Sequence, residues 1–126
     1  MKKIKFFEFF VGIAIIATSL ILGSCEEEIL APNEDNLYIR QVAGVQVIFS
    51  LNDSTITVCN NTDERTTVYV YRWDDFSNDW LRIQDFYFYS YGKVVKHAVF
   101  SPGNYIRIDV VHRNREIPPD CFILGE

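Results

Sequence analysis

The chain has 126 residues, 12 of them Lys or Arg and 17 Asp or Glu, for a net charge of −5. That length suits one domain, and 48% apolar with 15% aromatic residues excludes a wholly disordered chain. The acidic balance excludes the broad basic surface on which phosphate-backbone binding depends, so no nucleic acid is expected as a partner. Lys2, Lys3 and Lys5 form a positive N-terminal patch, and Phe6 to Leu22 is then almost continuously apolar, broken by Glu8. A charged start, an apolar stretch and a small-residue cleavage point are the features of a secretory signal peptide. The rival reading is a retained anchor, since the stretch approaches the length of a short membrane-spanning helix.

Leu22-Gly23-Ser24-Cys25 resembles the bacterial lipobox, in which small residues precede a cysteine directly after the apolar stretch. The resemblance implies that residues 1–24 are cleaved as a lipoprotein signal peptide. It also implies that Cys25 becomes the acylated N-terminus, a site that palmitate labelling would report. Glu26-Glu27-Glu28 follows and is similar to the surface-export signal of Bacteroidetes lipoproteins, which implies a surface-exposed outer-membrane lipoprotein; a polar linker with no sorting meaning is the alternative. Cleavage leaves 9 basic and 16 acidic residues on 102, a net −7 that anionic membranes repel, so the acyl chains must supply the attachment to the membrane. Residues 25–36, with five carboxylates, Pro32 and two Asn, read as the lipidated Cys and an acidic, flexible tether.

From Leu37 the pattern is all β. Val45, Val47, Phe49 and Leu51 alternate with Gly44, Gln46 and Ser50, while Ile48 breaks the pattern. Asn52-Asp53 suits a two-residue type I′ turn, since both residues tolerate positive φ. Thr55 to Val58 resumes the alternation, so residues 45–59 read as a hairpin. Thr66 to Trp73 and Trp80 to Tyr89 read as strands around an Asp74–Asp79 loop; Lys93 to Phe100, Tyr105 to His112 and Cys121 to Leu124 complete the set. Seven to eight short strands between turn signals argue a β-sandwich or small barrel, and an antiparallel sandwich over 37–126 is expected.

Ser101-Pro102-Gly103-Asn104-Tyr105 is similar to the Pro-Gly-x-Tyr approach to a late strand of immunoglobulin-like and fibronectin-like sandwiches, where the Tyr often closes a tyrosine corner. The whole order resembles small immunoglobulin-like modules of Bacteroidetes secreted proteins, many of unassigned function. One position departs from that pattern. Arg107 stands where an apolar residue on the face of Tyr105 is usual, so either Tyr105 faces away from the core or a bulge intervenes.

The chemistry-bearing residues are few. His97 and His112 have no adjacent carboxylate or metal-type partner, and neither a phosphate loop nor a nucleophile elbow is present. No catalytic residue, metal or cofactor is therefore expected. Asp74, Asp75, Asn78 and Asp79 carry oxygen ligands but lack EF-hand spacing, so they read as a loop. Cys59 and Cys121 are an even pair once Cys25 is acylated, and a disulfide between them requires their strand ends to be neighbours.

Aromatic residues are the densest signal. Tyr69, Tyr71 and Trp73 alternate with Val68 and Val70, and Tyr87, Tyr89 and Tyr91 alternate with Phe86 and Phe88. Val and Phe are the natural core set, which leaves the tyrosines on an outer sheet face. Such a face stacks on sugars and hydrogen-bonds their hydroxyls, while cross-strand pairing on a solvated sheet explains the same residues without a ligand. The expected function is a non-catalytic binding or accessory lipoprotein for a glycan or envelope protein. Alternatives are a protein-binding module, such as an inhibitor of a secreted protease, and a structural envelope subunit.

Overall fold

A computed structural model describes residues 28–126. Residues 1–24 and Cys25 lie outside them, as do Glu26 and Glu27. The described chain is all β, in ten strands. These are β1 (Ile29–Leu30), β2 (Leu37–Val42), β3 (Val45–Ser50), β4 (Thr55–Asn60) and β5 (Thr66–Asp74), then β6 (Asp79–Phe88), β7 (Gly92–His97), β8 (Tyr105–His112), β9 (Arg115–Glu116) and β10 (Asp120–Leu124). One sheet has the order β1-β10-β8-β5-β6, with β9 paired to β8; the other has the order β2-β3-β4-β7. All pairings are antiparallel except β1 with β10. Strands β3, β4 and β7 facing β10, β8, β5 and β6 is the immunoglobulin-like arrangement, with β2 and β1 added at the edges.

Alternation builds the core. Val45, Val47, Phe49, Ile56 and Val58 face Val68, Val70, Phe86, Ile106, Ile108, Val110 and Phe122 between the sheets, all 0–1% exposed. Ile48 faces out, which is why it interrupts the β3 pattern. The ring of Phe49 meets Phe100 and Phe122 edge-on, with centroids 5.4 and 6.0 Å apart, a preferred geometry for ring quadrupoles.

Two expectations change and one open alternative is decided. The type I′ turn lies at Ala43–Gly44, where both residues have positive φ (50° and 81°) and Val42 pairs with Val45. Asn52-Asp53 sits instead in a four-residue loop that reaches positive φ at Ser54. The segment read as a tether is structured from Glu28, because the Ile123 and Gly125 N–H groups donate to the Glu28 and Leu30 carbonyls, each at 2.7 Å. Tyr105 does face away from the core, and the bulge lies in β6 rather than β8: Val70 pairs with Gln84 but Tyr71 with Arg82, so Ile83 is the extra residue.

Both edge strands of the four-stranded sheet carry an inward-pointing cation. Register places Arg40 on the inner face of β2 and Lys96 on that of β7. Arg40 makes a two-pronged bond to Asp120 (2.6 and 2.9 Å) and another to Glu28 (2.8 and 3.0 Å), with its guanidinium 4.9 Å from the Phe122 ring centroid. Lys96 reaches the Asp85 carbonyl at 2.8 Å and its carboxylate at 3.6 Å. Inward charges on edge strands disfavour further strand addition, and here they also tie one sheet to the other.

Hydrogen bonds from Arg40, together with its charge, hold the Glu28 carboxyl below its ordinary 4.5. A carboxylate lowered in the folded state adds stability that is complete above its unfolded value and is lost as pH falls through the folded one. Acidification below about 4.5 is therefore expected to loosen β1 first, seen as faster amide exchange at Ile123 and Gly125. Glu28→Gln should remove that pH step; an unchanged step would assign it to another group.

Candidate functional site

Strands β6, β5 and β8 run side by side, and the side chains that do not enter the core form one outer face. Register sets them in rows. Arg82, Tyr71 and Arg107 form one row, Asp85, Tyr69 and Asp109 the next, and Tyr87, Thr67 and Val111 the third. Trp73 pairs with Trp80 beyond the first of these. The Trp73 and Trp80 rings meet edge-on at 5.3 Å, and Trp80 meets Tyr105 at 5.2 Å. Guanidinium groups interleave with the rings: Arg107 lies 5.3 Å from Tyr71 and 5.8 Å from Trp80, and Arg82 lies 5.0 Å from Tyr69. The Tyr69 and Tyr71 centroids are 6.5 Å apart. Cation–π contacts of this kind hold both partners flat against the sheet.

Hydrogen bonding fixes the polar members. Arg107 donates through Nε and one terminal nitrogen to Asp109 at 2.8 and 3.0 Å, which holds the guanidinium above its ordinary value. The Asp85 carboxylate, then burial, push the Tyr87 hydroxyl above its ordinary value. A hollow of about 270 Å³ beside Tyr69, Tyr71, Arg107 and Asp109 is walled by Glu116, Ile117 and Pro119. Flat rings flanked by charged forks and a shallow hollow can stack on a pyranose and bond its hydroxyls.

Of the residues singled out from the sequence, Tyr69, Tyr71, Trp73 and Tyr87 come together on this face. Tyr89 and Tyr91 do not continue β6, because the strand ends at Phe88 and the chain then crosses to the other sheet. Tyr89 is 87% exposed at the end of the sandwich, and Tyr91 lies in the crossover, away from the rows. Alternation did not anticipate Trp80, Tyr105, Arg82 or Arg107 as members. The Ile83 bulge reverses the phase of β6, turning Arg82 and Trp80 outward when strict alternation from Phe86 points them inward. Arg107 was visible only as an oddity two residues after Tyr105.

The remaining candidates do not assemble into a site. Cys59 is a free thiol on β4, whereas Cys121 on β10 of the other sheet is buried and disulfide-bonded. The Cys59–Cys121 bond is thus not formed, because register turns each residue to the outer face of its own sheet, on opposite sides of the sandwich. His97 is exposed, and its carbonyl accepts from Gln84. His112 is buried, with Nε2–H donating to the Ala43 carbonyl and Nδ1 within 2.8 Å of the Thr66 hydroxyl. That pairing ties β8 to the β2–β3 turn and includes no carboxylate. Asp74 accepts from the Ser77 N–H and hydroxyl, Asp75 from Trp73 Nε1 and Asp79 from the Trp80 N–H, so these oxygens close the turn. Among the described residues no group of three or more His, Cys, Asp or Glu is placed to hold a metal ion, and no helix is long and apolar enough to cross a membrane.

Comparison with family models, with curated proteins and with solved structures finds no match for this chain.

Proposed function

We propose that this protein is a non-catalytic lipoprotein, anchored through Cys25 and exposed at the outer-membrane surface, whose sandwich binds glycan on the outer face of β6, β5 and β8. The observation that carries the binding role is the interleaving of Tyr71, Trp73, Trp80 and Tyr105 with Arg82 and Arg107 on one face. Aromatics that merely paired across a solvated sheet would not need two guanidinium groups laid against them. Such a face offers ring surfaces together with hydrogen-bond donors, which is the combination sugars require. A glycan array with the mature domain tests the reading. Binding is expected on wild type and is expected to fall in Tyr71→Ala and Trp73→Ala; binding that survives both changes removes this face from the role.

The anchor is tested separately. Palmitate labelling should follow the wild-type protein and disappear in Cys25→Ala. An acylated Cys25 requires Cys121 to be a thiol rather than disulfide-bonded, so the anchor reading expects two thiols, Cys59 and Cys121, to titrate in denaturant. A disulfide that consumes the Cys25 sulfur leaves one, and that count would overturn the anchor. Protease shaving of intact cells then separates surface exposure from a periplasm-facing position.

One observation favours a second reading, a protein-binding module such as a protease inhibitor. Phe76 is fully exposed at the tip of the β5–β6 turn. The turn is ordered by Asp74, whose carbonyl accepts from the Asn78 N–H at 2.8 Å. Loss of partner capture in Phe76→Ser, with glycan binding intact, would identify that role.

A further inference from the structure

Beyond the end of β6 the aromatic face borders a second cluster of side chains. Thr66 pairs with Phe88 on one side and with His112 on the other, and Tyr89, Arg65 and Arg113 are the residues adjoining these three beyond the paired register. The Arg113 N–H donates to the Arg65 carbonyl at 2.7 Å, which makes the two arginines backbone neighbours. A hollow of about 390 Å³ is lined by Asp63, Arg65, Tyr89, Arg113 and Asn114. A second hollow of about 380 Å³ shares Arg65 and Tyr89 and leads along Thr67 to Tyr87. The two join this end of the sandwich to the rows already described, over about 25 Å from Arg65 to Trp73.

This end holds two of the cations that form no ion pair among the described residues, Arg72, Arg82 and Lys93 being the others. In an acidic domain, Arg40, Lys96, Arg107 and Arg115 each hold a carboxylate. Arg65 and Arg113 are exposed and form no ion pair among the described residues, although Asp63 lines the same hollow. The backbone around them is pinned from inside. Buried Asn60 donates to the Glu64 and Ser90 carbonyls at 3.2 and 2.9 Å, next to Arg65 and Tyr89 in the chain. Arg113 also occupies a position that favours glycine: its φ is 56° in the two-residue turn between β8 and β9. A long cation in the left-handed region costs more than Gly or Asn there, as the side chains of Ala43 and Ser54 do at their positions.

We infer that Arg65 and Arg113 form an anion subsite at the end of the aromatic face, and that the bound glycan is an acidic saccharide whose carboxylate or sulfate ester enters this hollow. The inference rests on the glycan reading above. Two guanidinium forks suit either oxyanion, and Tyr89 supplies a ring beside them for the sugar that carries it.

Matched polymers test it by affinity electrophoresis. Polygalacturonate is set against its methyl ester, and dextran sulfate against dextran, so that each pair differs only in charge. Wild type is expected to prefer at least one charged member by about tenfold, the scale of one charge-assisted hydrogen bond. Arg65→Gln with Arg113→Asn should erase that preference while leaving retention by the uncharged member unchanged. The pair that shows the preference identifies carboxylate or sulfate. A fold control accompanies it: Arg113→Gly should raise Tm by relieving the positive φ, yet weaken retention by the charged polymer. The subsite is overturned if neither charged polymer is preferred, or if the preference survives the double substitution. It is also overturned if vesicles containing phosphatidylglycerol bind more tightly than either polymer in an arginine-dependent way. Retention that is indifferent to Tyr71→Ala instead overturns the underlying glycan reading, so the two failures are distinct.

Discussion

Arg40→Ala is expected to lower unfolding free energy by about 2–3 kcal/mol, below the range for a fully buried pair because Arg40 and its partners keep some solvent contact. The side chain is 17% exposed, Asp120 23% and Glu28 57%. Truncation leaves the Asp120 carboxylate beside the core without its two-pronged donor and removes the cation from the face of Phe122. It also cuts the link between β2 of one sheet and β10 of the other. Arg40→Met, which keeps the apolar stem, is expected to recover part of the loss. Urea denaturation reads both values. A change under about 0.5 kcal/mol in Arg40→Ala would place this pair among ordinary surface ion pairs.

Trp80→Ala is expected to weaken glycan binding by about 2 kcal/mol, or roughly thirtyfold, the scale of a central aromatic anchor. Trp80 is the hub of the face, since its ring meets Trp73, Tyr105 and the Arg107 guanidinium. Its removal takes away a stacking surface and releases Arg107 from one of its two rings. Tyr91→Ala is the matched control, because Tyr91 is exposed in the crossover and outside the rows. It should leave affinity within about twofold of wild type, as a surface change distant from the contact does. Equal losses in the two variants would mean that binding follows general aromatic content rather than this face.

Alternation explains why so much of the fold was legible. Each of β3, β4, β5 and β8 shows apolar residues at every second position, because successive side chains in a strand point to opposite faces and only one face is dry. The Tyr105–His112 strand is recovered residue for residue, and Tyr69, Tyr71 and Trp73 lie opposite the core as their spacing requires. Local turn chemistry was less decisive. Ala43–Gly44 makes the two-residue turn although Asn52-Asp53 carries stronger turn residues. The register of β3 between β2 and β4 determines loop length there, and that register is a property of the whole sheet.

Sequence alone determined an all-β sandwich, its core set and the outward direction of the β5 aromatics, because those follow from a period of two. The lipobox resemblance at Cys25 is likewise local. Tertiary structure decided what depends on contacts distant in the chain. A single extra residue, Ile83, turned Trp80 and Arg82 onto the aromatic face. Docking of β1 beside β10 made Glu28 a partner of Arg40. Placement of Cys59 and Cys121 on the outer faces of opposite sheets kept their sulfurs apart, and the β8–β9 turn brought Arg113 beside Arg65, 48 positions earlier in the sequence. A period of two cannot foresee a bulge, an added edge strand or a neighbour from the other end of the chain, because each is fixed by the packing of elements that are far apart in sequence.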